Sequence, residues 1–279
     1  MNQFKKDDIQ AFCVFLYDQE RSSATIEKYS RALQRFYEWL PEEKTVDKAT
    51  VIAFKELLTA RFAPAGVNAQ LAAINGFFRY MGWYECIVRP LRIQRRVFAA
   101  VEKELTREEY LKLVAAAEAK KDTRLSLLLQ LMASTGIRVS EIPYVTVEAV
   151  ARNRIQIHLK GKIRTILLPG KLCNKLKKYH HRCGIHSGPV FLTRRGSVMD
   201  RKEIWAQMKR LCLAAGVPEE KVFPHNLRHL FARTFYKAQK DIAQLADVLG
   251  HSNIETTRIY LLSSGQEHQH VLDRLQMIC

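Results

Sequence analysis

The chain reads as mainly α: a helical N-terminal domain over residues 1–88, a basic linker over 89–103, and a mostly helical domain over 104–279 holding one small antiparallel β-sheet. Three observations predict this. Apolar residues recur at helical spacing through the first hundred positions, with almost no strand pattern. Beyond residue 104, hydroxyl or carboxylate starts and glycine stops bracket further periodic runs. Between those runs a single stretch alternates in steps of two and doubles back at a glycine.

Taken in order, Ser23-Ala24-Thr25-Ile26-Glu27 offers a helix start, with hydroxyls available to cap. Behind it Ile26, Tyr29, Leu33, Phe36, Tyr37 and Leu40 fall on one face, and Pro41 stops the run. A shorter helix spans 50–61 around Val51, Phe54, Leu57 and Leu58. Another spans 67–83, with Leu71, Ile74, Phe77, Phe78 and Met81. Arg89, Arg92, Arg95 and Arg96 make the linker basic, which fits either a solvated connector or a segment lying along phosphates.

In the second domain Thr106 and Glu109 form a capping box, and residues 125–132 make a strongly apolar helix ended by Gly136. Ile155, Ile157 and Leu159 alternate with polar residues, Gly161-Lys162 turns, and residues 163–168 return as the second arm of a hairpin. From Arg201 the pattern is helical to the end. Its last segment, 266–279, sets Val271, Leu272, Leu275 and Ile278 on one face. There is no internal repeat and no low-complexity tract.

Charge narrows the function. Against 28 Asp+Glu stand 45 Lys+Arg, a net +17 over 279 residues. Residues 1–99 hold 15 basic and 11 acidic side chains, and 100–279 hold 30 and 17, so the excess is concentrated in the second domain. Such an excess favours a polyanionic partner, above all nucleic acid. The polar N-terminus is unlike a secretory signal, and no apolar run is long enough to span a bilayer, so a cytoplasmic protein with no membrane partner is expected. Six scattered cysteines form neither a CxxC pair nor a dense framework, which fits reduced thiols.

Five short stretches carry chemistry. Ser134-Thr135-Gly136-Ile137-Arg138 sets an arginine just past a helix stop. Leu159-Lys160-Gly161-Lys162 brings a lysine to the hairpin tip. Pro224-His225-Asn226-Leu227-Arg228-His229 opens a helix whose core stripe is Leu227, Leu230, Phe231, Thr234 and Phe235, with His225 and Arg228 one turn apart at its edge. A cation and an imidazole near a helix N-terminus suit an oxyanion such as phosphate. Asp241 caps the next helix and Gly250 ends it, leaving His251 in a sharp corner, and Tyr260 falls about two turns into the helix that follows.

In this order the stretches TGIRVSEI, PHNLRH and LGHSNIETTRIY resemble the signature boxes of the tyrosine recombinase (integrase) family, over at least residues 105–264. The resemblance implies that family's fold, with a helical core-binding domain first and a catalytic domain second, closing as a clamp on double-stranded DNA. It implies site-specific recombination through a 3′-phosphotyrosine and a Holliday junction, by a homo-tetramer on DNA with accessory factors allowed. Arg138 and Arg228 match the arginines that clamp the scissile phosphate, where planar, permanently charged guanidinium groups suit a pentavalent transition state. His225 matches the histidine that assists proton transfer, His251 the position that hydrogen-bonds the phosphate, and Tyr260 the nucleophile.

Lys160 matches the hairpin lysine that protonates the leaving 5′-oxygen, with Lys162 the alternative; Glu141 matches an acid that orients the site. Transesterification conserves bond energy, so no cofactor and no metal are expected. The run Tyr179-His180-His181-Arg182-Cys183-Gly184-Ile185-His186 holds four possible metal ligands, but among lysines, and reads instead as a basic helix end. The size resembles Xer-like members and small transposon recombinases. Integration or excision of a mobile element is the leading expectation, and resolution of chromosome or plasmid dimers the alternative. A type IB topoisomerase and a DNA-binding regulator that has lost activity are the competitors. The first would relax supercoils without a specific site, and the second would form no covalent adduct.

Overall fold

The structure, a computed structural model, describes residues 2–93, 104–159, 162–261 and 274, apart from the side chains of residues 158, 159, 162 and 261. The chain divides into two compact units, Met1–Arg95 and Arg96–Cys279.

Four helices build the first unit: α1 (Lys6–Asp18), α2 (Ser23–Trp39), α3 (Lys48–Arg61) and α4 (Pro64–Met81). The α2, α3 and α4 periodicities agree with the sequence reading; α1 was not singled out there. Asp8 reaches back to the backbone N–H of Lys5 (2.8 Å), and Ile9, Phe12 and Leu16 supply the buried stripe of α1. An aromatic cluster fills the centre, with Phe4, Phe12, Phe36, Phe54, Phe77 and Phe78 all essentially inaccessible. Phe4 and Phe77 rings lie 4.8 Å apart, tilted as ring quadrupoles favour. A two-residue antiparallel pair, β1 (Asn2–Gln3) with β2 (Thr45–Val46), closes one end and is too short for alternation to announce it.

The segment leaving α4 is held by two asparagines seven residues apart, on one helix face. Asn75 donates to the Val88 carbonyl (2.8 Å) and accepts from the Val88 N–H (3.1 Å). Asn68 does the same for Leu91, at 2.9 and 2.7 Å. Each amide satisfies both backbone groups of a segment that has no ladder of its own.

The second unit begins with α5 (Arg107–Ala119), whose Thr106–Glu109 capping box forms with both reciprocal bonds. Next, α6 (Thr123–Thr135) buries Leu125, Leu127, Leu128, Leu129, Leu131 and Met132, more than one face, so it is the central helix of this unit. A 3₁₀ segment, Val139–Tyr144, takes up Pro143, and the short α7 (Val147–Ala151) follows. The hairpin is β3 (Arg154–Leu159) with β4 (Lys162–Leu167), in antiparallel register from Arg154–Leu167 to Leu159–Lys162. The expected turn at Gly161-Lys162 changes in one respect: Lys162 opens β4, paired with Leu159, while Gly161 lies outside the described residues.

Further helices among the described residues are α8 (Gly170–Arg182), α9 (Arg201–Ala215), α10 (Pro224–Gln239), α11 (Ile242–Leu249) and α12 (Glu255–Arg258). Two expectations change here. On α10 the buried residues are Asn226, Leu227, Arg228 and Ala232, whereas Thr234 is exposed, so the core face is rotated and Arg228 lies inside it. Tyr260 sits in a 3₁₀ turn, Ile259–Leu261, because α12 lasts only four residues.

Candidate active site

The site grows from the ends of helices. Gly136 ends α6 in the left-handed region (φ +62°), and an added Cβ would collide with the Phe231 ring, so the position needs glycine on both counts. The chain then passes through buried Ile137 to Arg138, the first residue outside the 3₁₀ segment. Glu141, 2% exposed, holds it there. Its carboxylate accepts from the Arg138 backbone N–H (2.8 Å) and from Nη1 (2.9 Å). Arg138 Nη2 donates to the Gly250 carbonyl (3.4 Å), tying this arginine to the corner that follows α11.

Arg228 is the buried centre, at 2% exposure. Its Nη1 donates to the Gly136 carbonyl, its Nη2 to the Leu249 carbonyl (2.9 Å) and to His251 Nε2 (2.9 Å), and its Nε to the Tyr260 hydroxyl (3.4 Å). Among the described residues these partners are two carbonyls, an imidazole and a phenol, none of them anionic. A buried cation satisfied by neutral acceptors keeps its full charge for an incoming anion. Burial, then the charge of Arg138, pushes the Arg228 pKa down to about 10, which leaves it protonated at neutral pH.

His251 is fixed from both sides. Arginine only donates, so Nε2 accepts from Arg228, and Nδ1 carries the proton and donates to Thr257 Oγ1 (2.9 Å). Burial first, then Arg228, Arg138 and Arg164, lower the His251 pKa to about 4, consistent with a neutral ring. Thr257 is wholly buried on α12. His225 stands in the first turn of α10, its ring 5.7 Å from that of Tyr260. Its side chain keeps access to solvent, yet partial burial, followed by Arg228, Arg138 and Arg201, holds its pKa below the ordinary histidine value.

Tyr260 is 5% exposed, packed with Ala232, Leu245 and Leu249 and flanked by Phe231, Phe235 and Tyr236. The His251 ring stacks on it at 5.7 Å. Arg138, His225, Arg228, His251 and Tyr260 thus converge from four separate stretches of sequence. Lys160 lies outside the described residues, as do the tail from 262 on (except Arg274) and linker residues 94–103.

Three residues of the cluster were not anticipated. His229 packs its ring 4.4 Å from Tyr260, and burial with its two basic neighbours lowers its pKa to about 4. It stands one turn beyond His225, so helical spacing alone sets both histidines on one face. Arg164 donates from Nη1 to both oxygens of Glu141 (2.5 and 2.7 Å). The register puts it opposite Ile157 and two residues from Ile166, hence on the buried face of β4; a cation at an apolar alternation position was the available signal. Thr257 had no such signal.

Away from the site, His180 lies in the last turn of α8, with Nδ1 against the Ile185 carbonyl (3.0 Å) and its ring stacked on His181 at 4.5 Å. Among the described residues no group of three or more His, Cys, Asp or Glu side chains is arranged to hold a metal ion. Nor is any helix among them long and apolar enough to cross a membrane.

Comparison with known proteins adds five findings. Residues 103–267 match the model of the phage integrase family. The tyrosine recombinase XerA of Pyrococcus furiosus is 27% identical over 282 residues, covering 98% of this chain and 96% of that one. The tyrosine recombinase XerC of Roseiflexus castenholzii is 28% identical over 297 residues, covering 96% and 94%. Among solved structures, XerH recombinase bound to its palindromic difH substrate superposes with a TM-score of 0.75 at 20% identity, covering 96% of this chain and 84% of that one. A lambda integrase tetramer bound to a Holliday junction does so at 0.73 and 18%, covering 91% and 76%. These last two likenesses establish a shared fold.

Proposed function

Because this chain belongs to the phage integrase family and is a tyrosine-type site-specific recombinase, we propose that Tyr260 is its nucleophile and that Arg138, Arg228 and His251 receive the scissile phosphate. The observation that carries this reading is Arg228, buried, charged and bonded at once to Tyr260 and His251. Its bond to the tyrosine hydroxyl is long, at 3.4 Å, and a phosphate oxygen is the better acceptor for that N–H. A phosphate seated between Arg138 and Arg228 then lies against the hydroxyl that attacks it.

The chemistry follows. Tyr260 Oη bonds to phosphorus while the bond from phosphorus to the 5′-oxygen breaks. His225, neutral near pH 7, takes the phenolic proton, and Lys160 gives a proton to the leaving 5′-oxygen. The two arginines hold the non-bridging oxygens as charge builds on them. Reversal by a second 5′-hydroxyl rejoins the strands with no external energy source.

On duplex DNA the assembly is a homo-tetramer working through a Holliday junction, with its tail, residues 266–279, docking on the neighbouring protomer, in the cytoplasm. Integration or excision of a mobile element is the biological role. Resolution of chromosome or plasmid dimers is the second reading, favoured by relatives named XerA and XerC that match along 96–98% of this chain.

The test starts by selecting duplexes bound by the full chain from a randomised pool, then placing a nick beside the cleavage position of the selected site. Tyr260→Phe removes only the attacking oxygen. Binding is expected to persist while covalent adduct disappears, and an adduct that persisted would assign the nucleophile elsewhere. Recombination of the selected site with flanking element ends, against recombination of two identical sites on a plasmid dimer, separates the two roles.

A further inference from the structure

Glu141 is a buried acid with two cationic partners, and only one of them faces solvent. Arg138's side chain is 38% exposed, Arg164's 12% and Glu141's 3%. Both carboxylate oxygens accept from Arg164 Nη1, while Arg138 contributes one guanidinium bond and its backbone N–H. The three side chains together carry one net positive charge. Arg164 also reaches out of the hairpin, its Nη2 donating to the Val248 carbonyl of α11 (3.2 Å). Its stem fills the hollow beside Gly250, where an added Cβ would stand 2.5 Å from Arg164 Cδ, and where φ is +63°. The contact partners of Arg164 are thus the acid beside Arg138 and the backbone leading to His251.

We propose that Arg164 is a positioning residue of the recombination site: it carries the charge of Glu141, so that Arg138 remains a net cation toward the scissile phosphate. This rests on the reading of Arg138 as a phosphate clamp. Consider the site without Arg164. Glu141 would keep Arg138 as its one guanidinium partner, and the pair would be close to neutral. A phosphate would then compete with a buried carboxylate for the same N–H groups. Glu141 itself is needed, because it sets the Arg138 backbone at the start of the 3₁₀ segment. An acid that orients one arginine and is neutralised by another serves both ends.

A charge argument has a signature that packing lacks: removing the acid should offset removal of its counter-charge. The experiment measures adduct formation in single turnover by the full chain on the nicked duplex selected above, with affinity for the same duplex measured separately. Arg164→Met is expected to slow adduct formation on the order of 10²-fold, the scale of losing a transition-state donor, with affinity changed less than about threefold. Arg164→Lys, which keeps the charge, is expected to stay within about tenfold of the unaltered protein. The double variant Arg164→Met with Glu141→Gln is expected to recover at least about tenfold over Arg164→Met alone.

A double variant as slow as Arg164→Met, or slower, overturns the proposal in favour of a packing role, and so does Arg164→Met at the unaltered rate. Should Arg164→Met fail to fold by circular dichroism, Arg164→Gln takes its place, with the same rescue required. Arg138→Ala in the same assay tests the underlying reading. Unchanged cleavage there refutes the clamp, whereas slowed cleavage with no rescue refutes only the role of Arg164.

Discussion

Tyr260 and His251 meet the same guanidinium, so their chemistry is tied to its charge. Arg138→Ala and Arg228→Ala are each expected to cost about 2–4 kcal/mol of transition-state stabilisation, by the scale of lost oxyanion donors. DNA affinity, spread over many cations, should fall far less; equal losses in single-turnover cleavage and in affinity would make both residues general DNA contacts. Histidine protonation supplies a second check. The His225 pKa is lowered, so the imidazole accepts a proton down to pH values below 6.5. The acid limb of the cleavage profile should therefore lie below 6.5 and vanish in His225→Gln; a limb unchanged by that substitution would remove His225 as the base.

Stability responds to pH by the same logic. His229 and His251 titrate near 4 in the folded protein, against an ordinary 6.5. Between those values the unfolded chain binds more protons, so stability falls as pH drops from about 6.5 towards 4 and levels off below. His229→Asn should flatten that loss in thermal melts taken across the window; an equally steep loss would show that His229 contributes nothing to it.

At the scale of elements, the site is assembled from helix ends. The α6 C-terminus delivers the Gly136 carbonyl to Arg228, and the α11 C-terminus delivers the Leu249 carbonyl to the same guanidinium. Unpaired carbonyls at helix C-termini carry partial negative charge, which is where a buried cation is best received. Gly136→Ala combines left-handed strain with a collision at Phe231 and is expected to destabilise the fold by about 2–4 kcal/mol in denaturant melts. A neutral outcome would mean that α10 moves freely away from α6.

The hairpin poses a sharper question. Lys162 is paired with Leu159 in the ladder, and Lys160 lies outside the described residues. Lys160→Ala cleavage should be rescued by a bridging 5′-sulfur, because a thiolate leaves without protonation, and Lys162→Ala should be nearly silent. Rescue at 162 alone would shift the general acid into β4.

For the whole molecule the relevant terms are charge and assembly. With a net +17, duplex binding should weaken steeply with salt through counterion release. Truncation after Gly265 should spare single half-site binding and cleavage, and sharply reduce cooperative binding of full sites and recombination of two duplexes. Normal recombination by the truncated protein would refute tail exchange between protomers.

The sequence by itself determined the helical class, the hairpin, the capping of α5 and the order of the site residues. Each of those depends on local spacing, which periodicity and end signals report directly. Only the tertiary structure decided which face of α10 is buried, that Arg228 is inside it, and that Arg164 and His229 join the site. Thr234 shows why. It fits the apolar stripe by spacing yet is exposed, whereas Arg228 is buried because the ends of α6 and α11 each offer it a carbonyl. Burial of a charge is set by acceptors that arrive from distant segments, and local periodicity carries no record of them.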